Sequence, residues 1–181
     1  LFFILWILFS YKNYDGRILG YGDAFVYFNP NFANSIFDYF VYWINNIGGK
    51  ITELAWETTA NNGATSTFQS FTIKMGCTSA SSINTWQSGL TTVFSPQNIN
   101  VVLGWNTQVL TTAYEWDGIS NLIVEICYDN LNSSYTYNWA TPYTNTNFNS
   151  CVYFYSDIAN ACTSTTQAFN SPSTMRPVTR F

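Results

Sequence analysis

The sequence contains no histidine, and charged residues fill only 9% of its 181 positions, against about 25% in an average soluble domain. Without imidazole there is no Ser-His-Asp or Cys-His nucleophile pair, no HExxH motif and no His-ligated zinc or haem. Six basic residues against ten acidic ones give a net charge of −4. No basic stripe can therefore neutralise phosphates, and nucleic acid is excluded as a partner. The apolar run Leu1–Phe9, LFFILWILF, falls well short of the roughly 20 residues a membrane-spanning helix needs, so no transmembrane span is expected. As a signal-peptide core it lacks a preceding basic region and a small-residue cleavage site in the following SYKNYDG. The four cysteines form no CxxC pair, which argues against a zinc ribbon or a thioredoxin-like motif. No segment sustains helical heptads.

What is abundant is aromatic. Thirteen Tyr, fifteen Phe and seven Trp supply the apolar area that disordered chains lack, and a chain of this length can bury about 70% of its unfolded surface. The uncharged polar surface falls to Asn, Thr and Ser, a mixture that suits β-structure and points to an extracellular or cell-surface protein. Alternation over Lys50–Thr58 and Phe68–Cys77 reads as strands. In the second, Phe71, Ile73, Met75 and Cys77 share one face and Thr72 and Lys74 the other. Further strands are predicted near Thr91–Phe94, Asn98–Leu103, Trp105–Thr112, Asn121–Tyr128, Ser134–Trp139, Phe148–Tyr155 and Thr174–Phe181. A polar turn and a helical turn are expected over Thr78–Gln87. Short strands with turn residues every 8–12 positions predict an all-β fold, an antiparallel β-sandwich or jelly roll with an extended apolar N-terminal segment. The domain reading is an apolar and aromatic segment over 1–48 and a β-sandwich domain over 49–181.

The run of Leu1, Phe2, Phe3, Ile4, Leu5, Trp6, Ile7, Leu8 and Phe9 also fits a strand buried on both faces. An uncharged apolar terminal strand invites pairing with a sheet edge in its own subunit or in a neighbour, and these residues are the candidate subunit contact. A heterologous contact of that kind does not close and builds a filament.

Five stretches carry a resemblance: GKITELAW (49–56), FTIKMGCTSASS (71–82), TWQSGLTTVF (85–94), GWNTQVLTTAYEWDGISNLIVEICYDN (104–130) and RPVTRF (176–181). Over roughly residues 49–181 the chain resembles a β-rich repeat module of large secreted surface proteins of Bacteroidetes-type bacteria, similar to adhesins and gliding-motility-associated proteins exported by type IX secretion. The resemblance implies a surface-exposed, non-enzymatic role and places no active site on numbered residues.

Cys77, Cys127, Cys151 and Cys162 form an even set, read as disulfides of an oxidising compartment. Cys77 lies on the apolar face of its strand and Cys127 has the opposite parity to Leu122, Val124 and Ile126, so adjacent strands would hold the two sulfurs on opposite faces. The preferred pairing is Cys77–Cys151 with Cys127–Cys162. The alternative is Cys77–Cys127 with Cys151–Cys162, since a bulge would reverse the parity.

Other side chains suggest weaker chemistry. Trp86, Trp105, Trp116 and Trp139 are candidates for stacking on a glycan, set against packing in a core or interface. Glu115, Asp117 and Asp129 are candidate oxygen ligands for a structural calcium ion, set against a simple turn at Trp116-Asp117-Gly118. Glu53, Glu57, Glu115, Asp117, Glu125 and Asp129 show no spacing that pairs two carboxylates for glycoside hydrolysis, so no enzyme is expected and no cofactor or metal is assigned. Asn132-Ser133-Ser134 is a sequon and marks a surface loop. The expectation is a self-assembling fibre or adhesive surface subunit, a homo-oligomer or homopolymer; the alternative is a carbohydrate-binding module, with a glycan or host-surface ligand.

Overall fold

The computed structural model describes residues 2–9, 49–60, 66–128, 140–156 and 171–181. These form eleven strands: β1 (Phe2–Phe9), β2 (Gly49–Thr58), β3 (Thr67–Thr78), β4 (Thr91–Asn100), β5 (Gly104–Trp116), β6 (Asn121–Tyr128), β7 (Tyr143–Asn145), β8 (Cys151–Ser156), β9 (Ser171–Ser173), β10 (Met175–Pro177) and β11 (Thr179–Arg180). One sheet has six strands in the order β4-β3-β6-β1-β8-β9, a second has three in the order β11-β2-β5, and β7 pairs with β10. Every pairing is antiparallel. The described residues contain no helix, and the fold is an antiparallel β-sandwich.

The alternation of β3 explains the main core. Phe71, Ile73 and Met75 are buried and meet Leu122, Val124, Ile126 and Tyr128 of β6 on one face, against Leu54, Trp56 and Leu110 of the other sheet. Aromatic edges lock the layer: Phe71 meets Trp56 at 6.4 Å and Phe94 at 5.9 Å, both edge to face. The outer face of the six-stranded sheet is covered as well, because Ile83, Trp86, Leu90 and Phe148 pack over Ile123, Cys127 and Val152. A strand covered on both sides reads as a near-continuous apolar run, and β6 is buried from Leu122 through Tyr128, with Glu125 its one charged member. Gly76 lets this cover approach closely, since a Cβ there would collide with the Leu90 side chain.

β1 runs between β6 and β8, with Ile7 opposite both Val124 and Cys151, and Leu5 opposite both Ile126 and Tyr153. It therefore occupies an interior position of this chain's own sheet and not an edge, and the division at residue 48 does not separate Phe2–Phe9 from the sandwich. Predicted strand Thr91–Phe94 and the start of predicted Asn98–Leu103 are one strand, β4, which passes through Pro96 and ends at Asn100, leaving Val101–Leu103 outside it. β4 is an edge strand, where a missing N–H is tolerated. Thr78–Gln87 contains no helical turn, and predicted strand Ser134–Trp139 lies outside the described residues.

Candidate binding cavity and strand slot

Between the two sheets, at the end where β7 and β10 lie, the inner faces leave a cavity of about 410 Å³. One wall is Trp56 and Thr58 of β2 with Asn106 and Gln108 of β5; the opposite wall is Phe68, Phe71, Ile126 and Tyr128, with Cys151 and Tyr153 beside them. The same alternation that builds the core places them there, because Trp56 stands opposite Asn106, and Leu54 opposite Gln108. Among the described residues, no Lys, Arg, Asp or Glu lines it. At its mouth stand Tyr143 and Met175, 57% and 44% exposed.

Two polar side chains of this cavity, Thr58 and Asn106, are bonded within the protein itself. Asn106 Nδ2 donates to Thr58 Oγ1 at 3.1 Å, to Val102 O at 2.8 Å and to Gly104 O at 2.9 Å, while its Oδ1 accepts from the Val102 N–H at 2.9 Å. Burial pushes the Cys151 thiol up to about 12 and raises the Tyr128 hydroxyl above its ordinary range, so both stay neutral. Trp56 Nε1 is buried with no hydrogen-bond partner, a cost of about 1–3 kcal/mol for a donor taken out of water.

The second feature is the slot that β1 fills. The outer strands of the six-stranded sheet offer little to a newcomer. β9 is only Ser171–Ser173 and contains Pro172, and β4 contains Pro96 and is tied to β5 through Thr111, whose hydroxyl donates to Val93 O at 3.0 Å and accepts from the Ser95 N–H at 3.1 Å. The interior position between β6 and β8 is the one that a sequence-remote strand completes.

No family model, curated protein or solved structure matches the chain.

The preferred Cys77–Cys151 bridge does not form. Cys77 and Cys151 are free thiols, exposed and buried respectively. They belong to β3 and β8, which have β6 and β1 between them, so three inter-strand spacings of roughly 4.8 Å separate them, far beyond disulfide reach. The alternative Cys77–Cys127 fails too. Cys77 faces Leu122, whereas Cys127 faces Thr72, five positions along β3. The parity argument itself holds, since Cys127 packs with Ile123 and Val152 on the outer side of the sheet. Cys127 is not free, and Cys162 lies outside the described residues.

Of the four candidate stacking tryptophans, the three described ones are engaged with the protein itself. Trp86 packs against the outer-face cluster and Trp116 against the main core, with its Nε1 donating to Ser120 O at 2.9 Å. Trp105 has the Arg180 guanidinium over its ring at 3.4 Å, which occupies one face. Trp139 lies outside the described residues.

The two described candidate calcium ligands, Asp117 and Glu115, have partners within the protein. Asp117 accepts from the Ile119 N–H at 2.9 Å, the Ser120 N–H at 2.8 Å and the Ser120 hydroxyl, bonds that hold its carboxyl below the ordinary carboxylate range. Gly118, at φ 72°, completes this turn. Glu115 pairs with Lys50 at 3.2 Å, Asp129 lies outside the described residues, and among the described residues no group of three metal-ligating side chains occurs. Glu53 and Glu57 belong to the three-stranded sheet, while Glu125 sits on the far side of the sandwich, paired with Lys74 at 2.9 Å. The described acids thus form no hydrolytic pair. Among the described residues no helix is long and apolar enough to cross a membrane. The cavity and the β1 slot are features that residue patterns did not reveal, because each depends on which strands become neighbours.

Proposed function

We propose that this chain is a structural subunit of an extracellular fibre or adhesive surface assembly, in which β1 completes the sheet of a neighbouring copy as it completes its own. The observation that carries this reading is the interior place of β1, an unbroken apolar strand remote in sequence from both strands it joins. Residues 10–48 separate it from β2, a connection long enough for exchange between copies. Strand exchange is an inexpensive route to assembly, because the donated strand makes the same hydrogen bonds in either chain. The blunted edges β4 and β9 favour this slot over edge-to-edge pairing.

The low charge, the Asn, Thr and Ser surface and the resemblance to secreted surface modules support the extracellular setting. A Cys127–Cys162 bridge belongs to the same reading: Cys77 and Cys151 are free and Cys127 is not.

Register supplies the test. Ile7 lies directly opposite Cys151, and cross-strand neighbours have Cα separations of about 4.5–5.5 Å, within disulfide range. In a Cys77→Ser background, Ile7→Cys should oxidise onto Cys151. Exchange between copies predicts a ladder of cross-linked dimers, trimers and longer species on a non-reducing gel. A bridge formed only within single chains at all concentrations overturns the proposal.

A further inference from the structure

We infer that the cavity between the sheets binds an uncharged, mainly apolar small molecule that carries one hydrogen-bond acceptor, which takes up the indole N–H of Trp56. Its volume, about 410 Å³, falls within the roughly 300–1,000 Å³ of small-molecule sites. The inference stands independently of strand exchange.

The lining selects the class of ligand. With no charged side chain among the described residues of the wall, an ionised guest meets no counter-charge there to offset its lost hydration. A sugar fits no better. Each of its hydroxyls needs a partner, yet Thr58 and Asn106 are already bonded to each other and Asn106 is further saturated by Val102 and Gly104. Aromatic and aliphatic walls suit an apolar body, and the exposed Tyr143 and Met175 give it an apolar entrance.

Trp56, a wall residue, carries a buried N–H without a partner. Trp56 is 9% exposed and its Nε1 is unbonded, a feature native interiors rarely keep without reason. Water does not reach this atom. A small turn of the indole would present it to a carbonyl or ether oxygen brought in on an apolar frame. Gln108, also 9% exposed and diagonal to Trp56 across β2 and β5, stands on the same wall.

The test uses three probes of matched shape with the full chain: 2-acetylnaphthalene, 2-ethylnaphthalene and 2-naphthoate. Binding is followed by the indole N–H signals in proton–nitrogen NMR, with Trp56 assigned from Trp56→Phe. One saturable site is expected. The ketone should bind at least as tightly as the hydrocarbon despite its greater hydration, and naphthoate at least about 30-fold more weakly than the ketone. The Trp56 signal should move downfield with the ketone and not with the hydrocarbon. Trp56→Phe should lower the ketone's affinity about tenfold relative to the hydrocarbon's. Val101→Phe, which fills the lining without touching Trp56 chemistry, should weaken both neutral probes by about tenfold or more. Absence of saturable binding, equal affinity for ketone and naphthoate, or an unmoved Trp56 signal at ketone saturation each overturns the inference. The last readout needs only the native chain and decides the matter if Trp56→Phe does not fold.

Discussion

The hydroxyl of Thr111, on β5, donates to the main-chain oxygen of Val93, on β4, at 3.0 Å, so a single side chain ties the edge of one sheet to the edge of the other. It also accepts from the Ser95 N–H at 3.1 Å. The bond satisfies backbone groups that β4, as an edge strand, would otherwise leave unpaired.

Thr111→Val keeps the shape of the side chain and removes both bonds. A loss of about 1–2 kcal/mol is expected, read as a lower urea midpoint with unchanged slope. Amide exchange at Ser95 should quicken selectively. Unchanged exchange at that amide would show that the tie contributes nothing to closing the edge.

The Lys74–Glu125 pair, 2.9 Å apart, sits on the outer face of the six-stranded sheet, where the Glu125 side chain is 9% exposed and that of Lys74 33%. Removing one partner leaves a mostly buried charge alone, which costs more than the pair contributes. Lys74→Met is therefore expected to destabilise by about 2–3 kcal/mol, and adding Glu125→Leu should restore most of the loss. A double-mutant cycle by urea unfolding measures it; simple additivity of the two losses would refute this account.

The long strands of the core were legible. β6 is found at Asn121–Tyr128 as predicted, and β2 and β3 within a residue or two, because alternation or an unbroken apolar run marks burial directly. Of the pieces that follow β6, β8 (Cys151–Ser156) matches the predicted Phe148–Tyr155 and the shorter ones were not legible. β7, β9 and β10 have three residues each and β11 two, too short for any period, and the predicted strand Thr174–Phe181 divides between two sheets. Parity correctly told that Cys77 and Cys127 occupy opposite faces, yet parity carries no information about strand order. Only the order β3-β6-β1-β8 shows that Cys77 and Cys151 are kept apart. The cavity was illegible for the same reason. Its walls come from several strands widely separated in sequence, and the absent partner of Trp56 Nε1 is a property of their packing.

The Asp117 turn is held by three hydrogen bonds to residues 119 and 120. Asp117→Ala should cost about 1 kcal/mol, and Gly118→Ala a similar amount because φ 72° is strained for any residue with a Cβ. Thermal unfolding of both variants measures this. The two losses should combine with less than full additivity, since either change alone frees the same turn.

The two free thiols should differ sharply in chemistry. Cys77 is exposed and shares a hydrogen bond with Tyr114 Oη at 3.3 Å, whereas Cys151 is 2% exposed. A thiol reagent should label Cys77 in the folded chain and Cys151 only on unfolding. The buried thiol also sets a pH dependence. Its folded pKa is about 12, raised by burial from 9.0, so the unfolded chain ionises first. The stability from keeping Cys151 neutral is then complete below pH 9 and declines as pH rises toward 12. At about 1.36 kcal/mol per pH unit, up to about 2 kcal/mol is lost by roughly pH 10.5. Tyr128, raised by burial as well, acts with the same sign. Urea midpoints measured from pH 8 to 10.5 should fall in the native chain and fall less steeply in Cys151→Ala, the remainder belonging to tyrosine. Equal slopes in the two proteins would mean that Cys151 ionises as easily folded as unfolded, and so is not the neutral wall group of the cavity.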